Sequence, residues 1–187
     1  MTRSITTNIK PNILITKRDK LTAEITRSWR IIATENVVKK GFTRNYDLRA
    51  LLTHIRAMYE ELVILKLRIQ CANMGMKFKD LPKDANIINI YKLSALNEFY
   101  VKLGEMAKEH TINPVLKAKK GKRNLGITEE LTRTYFRNMQ NGYLLTLNSL
   151  RKAIADFNDN TDLSDDSAPL YFCLLYTSPS PRDMRRS

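Results

Sequence analysis

Between Leu48 and Ala72 an apolar residue returns every three or four positions for four heptads, with no polar intrusion. The first position of each heptad holds Leu48, Ile55, Leu62 and Ile69; the fourth holds Leu51, Met58, Leu65 and Ala72. A strand repeats every second residue, so this period specifies a helix with one continuous apolar seam. Leu52 and Tyr59 widen the seam, and Val63 and Ile64 make its middle apolar almost all round. The expectation is a helix over about 46–73, capped by Asn45, closed near Gly75 and buried on more than one side. One stripe of side chains does not offset the backbone entropy of ordering so long a helix. Partner helices are required, from this chain or from another copy.

The rest of the chain supplies candidates. A first helix is expected over about 17–40, with Thr16 as N-cap, Asp19 in the first turn and Gly41 closing the end. Its stripe reads Leu21, Ile25, Trp29, Ile32 and Asn36. After Pro82, Asp84 caps a third helix over about 85–110, whose apolar side is Ile88, Tyr91, Ala95, Leu96, Phe99, Tyr100, Leu103, Met106 and Ala107. Asn113-Pro114 stops it. A fourth helix opens at Thr128, with Glu129 and Glu130 in its first turn. Phe136, Tyr143, Leu150 and Phe157 recur every seven residues along it, beside Met139, Leu147, Ala153 and Ile154. Asn141-Gly142 interrupts that pattern as a kink, a close-packing glycine or a break. No strand pattern competes and no internal repeat is present. The fold class is all-α: an antiparallel helical bundle, or helical hairpins, of about four long helices with coiled-coil-like packing.

Residues 1–15 read as a flexible arm, 16–157 as the helical domain and 158–172, "NDNTDLSDDSAPLYF", as an acidic linker. Residues 173–187 stand apart. From Cys173 to Asp183 they resemble, over eleven consecutive positions, one reading frame of a transposase-type sequencing adapter rather than a protein. This resemblance implies a non-native tail and a natural C-terminus beyond residue 172, consistent with a fragment of a microbial or viral gene.

The chain carries 32 Lys and Arg against 19 Asp and Glu, a net charge of +13. The tail holds three arginines and one aspartate, which leaves +11 on residues 1–172. Such a balance favours anionic partners. Without the tail, Cys71 is the only cysteine, so no internal disulfide is available and a reducing compartment is expected, cytoplasmic or, for a viral protein, inside the host cell. The longest apolar run, Leu62 to Leu65, is far too short to span a membrane.

Residues that could do chemistry are sparse. His54 and His110 lie on different predicted helices with no second ligand at metal spacing, and each suits a helix surface or last turn. Glu60 and Glu61 are adjacent, so they diverge around a helix. "DNTDLSDDS" lacks the central glycine and final glutamate of a calcium loop, and "KKGKRNLG" lacks the glycine and hydroxyl of a phosphate loop. No catalytic residue, metal site or cofactor is expected, and the chain reads as a non-enzyme.

The best functional candidate is the basic segment "VLKAKKGKRNLGI". Lys117, Lys119, Lys120, Lys122 and Arg123 place five cations in seven residues with no acid between them. Next to it, Arg133 and Arg137 interleave with Tyr135 and Phe136. Cations beside aromatics can neutralise phosphate and stack on bases. No zinc-finger or helix-turn-helix pattern points to sequence-specific reading. The expected function is non-specific binding of nucleic acid or another polyanion through this basic loop. The alternative is a scaffold or particle subunit that homo-oligomerises through helices, with the seam Leu48, Leu51, Ile55, Met58, Leu62, Leu65 and Ile69 as its contact.

Overall fold

A computed structural model describes residues 11–108 and 127–161. Four helices form an all-α bundle: α1, Pro11–Glu35; α2, Leu48–Asn73; α3, Asn86–Lys108; and α4, Arg133–Asn160. A single 3-10 turn, Phe78–Asp80, lies between α2 and α3. Each helix packs on the next in chain order. Cross-links fix the pairs as antiparallel: Tyr59 of α2 bonds Glu98 of α3, while Gln70, farther along α2, meets Tyr91, earlier in α3. Gln140 and Arg151 of α4 likewise meet Tyr100 and Asn97 of α3 in reverse order.

The α2 seam lies in the bundle core. Leu48, Ile55, Met58, Leu62, Leu65 and Ile69 are buried, and Leu51 and Ala72 half-buried. Val63 is buried too, but Ile64 is 44% exposed, so the middle of α2 is not covered all round. Instead a second buried row, Tyr59, Val63, Leu67 and Cys71, runs at four-residue spacing. Two rows follow from two neighbours, since α2 packs against both α1 and α3. Its N-cap is Asp47 rather than Asn45: one carboxylate oxygen accepts from the Arg49 and Ala50 amides at 2.9 and 3.0 Å. The carboxylate also meets the positive end of the helix dipole. At the other end the Met76 amide bonds Cys71 O and the Gly75 amide bonds Ala72 O. Gly75, at φ +68°, supplies the left-handed residue that this closing motif needs.

Several expected boundaries move. α1 takes in Pro11–Ile15 from the expected arm, because Leu14 is buried in the core and a proline is tolerated in a first turn. Thr16 is therefore not a cap; its hydroxyl donates back to Asn12 O at 2.9 Å. α1 also stops at Glu35, five residues early. Val37–Lys39 (β1) pairs antiparallel with Ile127–Glu129 (β2), Val37 opposite Glu129 and Lys39 opposite Ile127. Val37 and Val38 are buried, and β-branched side chains favour this extended form. The same ribbon removes Thr128 and Glu129 from the expected start of α4. Thr132 is the N-cap, its hydroxyl accepting from the Tyr135 amide at 3.1 Å.

Gly142 neither breaks α4 nor packs closely: the helix runs through it, and a Cβ there would meet nothing within 4 Å. The close-packing glycine is Gly104 of α3, where a Cβ would collide with the Gln140 amide of α4. All four helices meet on Phe99. Its ring lies 5.6 Å from Trp29, 5.7 Å from Tyr59 and 5.4 Å from Tyr143, the last two edge-on. Among the described residues, no helix is long and apolar enough to cross a membrane.

Candidate nucleic-acid interface

The antiparallel order puts the C-terminal ends of α1 and α3, the N-terminal ends of α2 and α4, and the β1–β2 ribbon at one end of the bundle. A polar clasp fixes this end. Asn36, buried, donates through Nδ2 to Leu131 O at 2.8 Å and accepts through Oδ1 from the Leu131 amide at 2.7 Å. It thus copies a strand's pairing in one side chain. Arg44 reaches in from the β1–α2 connection. Its Nε donates to Glu35 O at 3.0 Å, and Nη2 to Asn36 O at 3.0 Å and Thr128 O at 3.1 Å. Nε also lies 3.3 Å from Glu130. A guanidinium on the last carbonyls of α1 complements the negative end of its dipole.

Around this clasp the surface is cationic. Lys39, Lys40, Arg49, Arg133 and Arg137 are exposed. Three of the acids at this end are engaged: Asp47 caps α2, Glu130 pairs with Arg44, and Glu35 accepts from the Asn45 amide at 3.3 Å.

Of the residues expected to bind, Arg133 and Arg137 stand exposed on the first turns of α4. Tyr135 is only half-exposed: it packs edge-on against buried Phe136 and carries the Arg49 guanidinium 5.3 Å from its ring centre. Its exposed ring surface is already in use as a cation–π partner. Lys117, Lys119, Lys120, Lys122 and Arg123 lie outside the described residues, as does His110. The sequence reading passed over "KKGFTRNY", residues 39–46, although it interleaves cations and aromatics as "RTYFRNM" does. Phe42 and Tyr46 are 52% and 41% exposed.

Elsewhere, two buried titratable groups lie in the helix packing. The Tyr59 phenol donates to Glu98 at 3.1 Å, and burial, reinforced by the Glu98 charge, holds its pKa well above the ordinary value. Burial pushes the Cys71 thiol up as well, away from the thiolate a nucleophile needs. His54 is exposed, 3.9 Å from Glu24. Among the described residues, no group of three metal-ligating side chains comes together. No family model, no curated protein and no solved structure matches the chain.

Proposed function

We propose that this protein binds nucleic acid without sequence preference at the ribbon end of the bundle, as a non-enzymatic binding protein. The observation that carries the reading is the convergence of cations there. Arg133 and Arg137 open α4, Lys39 and Lys40 leave β1, and Arg49 opens α2, all at the end where the chain departs at Lys108 and returns at Ile127. In the sequence the five cations of 117–123 fall between these two points, and Ile127 pairs with Lys39. The α2 seam is occupied within the chain, so helix–helix assembly is the weaker reading: it needs another face, such as that around Leu145 on α4, 79% exposed.

The test is fluorescence anisotropy of a labelled random-sequence DNA duplex across a salt series. Five neutralised phosphates give a slope of log affinity against log salt of about −4.5, steeper if Arg133 and Arg137 join. Replacing Lys117, Lys119, Lys120, Lys122 and Arg123 together by Gln flattens it. Absence of binding at low salt, or affinity indifferent to salt, overturns the proposal.

A further inference from the structure

We infer that the ribbon end prefers single-stranded to duplex nucleic acid, with Phe42 and Tyr46 as the rings on which its bases stack. The inference rests on the function proposed above and specifies its ligand.

Two large aromatic rings stand exposed four residues apart, Phe42 and Tyr46, on the connection from β1 to α2. A lone exposed aromatic is ordinary. These two are set among Lys39, Lys40 and Arg49. The connection is also held firmly. Its first turn closes through the Phe42 amide on Lys39 O at 3.0 Å, with Gly41 at φ +89°. Since Lys40 has negative φ, this is a type II turn, whose third residue must reach the left-handed region. Between the rings, Arg44 is fixed by three carbonyls and Glu130. Beyond them, Asp47 caps α2. The rings are thus presented from an anchored backbone, which lowers the ordering cost of binding.

Duplex phosphates need only the cations; a duplex keeps its base faces stacked internally. A single strand offers phosphate and free base faces together, and every base has such a face, so stacking adds affinity without sequence preference. Cations alternating with exposed rings therefore match an unpaired strand. The same argument moves the stacking role away from Tyr135, whose ring Arg49 already covers.

The test is competition against a labelled mixed-sequence 20-mer single-stranded DNA bound to the full chain, a length of about two sites of ordinary size. Competitors are the unlabelled single strand as DNA and as RNA, its duplex, and an abasic strand that keeps the phosphates but lacks bases. Both single strands are expected to displace the label at nucleotide concentrations at least about fivefold below those of duplex and abasic strand. Phe42→Ala with Tyr46→Ala removes that preference but leaves duplex affinity unchanged; both side chains are exposed, and an unchanged thermal melt confirms the fold. Preference for one sugar type names the source, DNA or RNA. Equal competition by duplex, or a double variant that keeps the preference, overturns the inference while the proposed function stands. If no nucleic acid binds at low salt, the proposed function itself fails and the inference falls with it.

Discussion

Two regions tie distant helices together by opposite chemistry: the Phe99 hub in the middle of the bundle and the Asn36–Arg44 clasp at its ribbon end. The hub joins α1, α2, α3 and α4 through apolar rings in contact. The clasp joins the end of α1 to the start of α4 through hydrogen bonds and one ion pair. Damage to the hub costs packed volume, whereas damage to the clasp strands buried backbone groups. At the hub Trp29, Tyr59 and Phe99 are buried and only Tyr143 is partly exposed. The clasp holds the ribbon and the surrounding turns in place, and so positions exposed side chains around it.

The largest effect is expected at the hub. Phe99→Ala removes the one ring shared by all four helices and destabilises by about 3–5 kcal/mol in denaturant melts. A loss under about 1 kcal/mol breaks the picture of a hub. Asn36→Ala comes next, at about 2–3 kcal/mol, because the Leu131 N–H and C=O both lose their buried partner. It is also expected to raise hydrogen exchange at Leu131 and along the ribbon without touching α3.

A pH measurement sharpens the contrast. Tyr59 has a raised pKa in the folded state, so its contribution is fully present below about pH 10, the ordinary tyrosine value, and is lost as pH climbs from there toward the folded pKa. The groups facing its phenol are Glu98, Glu105 and Trp29. Tyr59→Phe is expected to reduce the alkaline loss of stability, leaving the parts due to Tyr91 and Cys71, which burial also raises. The clasp's Asn36 carries no ionisable group, so Asn36→Ala leaves the alkaline slope as it was.

The smallest effects come from two glycines. Gly142→Ala is expected to stabilise by about 0.5–1 kcal/mol, since it lies inside α4 with open space beside it. Gly104→Ala gains the same propensity but displaces the Gln140 amide from Tyr100 O, for a net change of about zero. A difference between these variants in thermal melts checks the α3–α4 approach; identical shifts contradict it.

The hub was legible in the sequence, and the clasp was not. Trp29, Tyr59, Phe99 and Tyr143 all fall on stripes of helical period, so their burial follows from pattern. Asn36 falls on the α1 stripe too, which reads as one more rung of a helix. Its actual partner is 95 residues away, and no local pattern marks it. The three-residue strands are too short to show alternation, and Thr128-Glu129-Glu130 imitates a helix start. Asn45 and Asp47 are both good caps by type; only geometry separates them. At the candidate interface, charge alone points to Arg133 and Arg137, whereas nothing in the sequence shows that Arg49 lies over the Tyr135 ring. Phe42 and Tyr46 carry the same signal as Tyr135, cations interleaved with aromatics, but Phe42 lies in the short connection between the first two expected helices and Tyr46 at the start of the second.

The most direct test is hydrogen–deuterium exchange of the full chain with and without a mixed-sequence single strand at low salt. Binding at the ribbon end predicts slowed exchange over 37–49 and 127–137 and no change over 74–92 at the opposite end. Slowed exchange confined to 74–92, or spread evenly over the bundle, would contradict it.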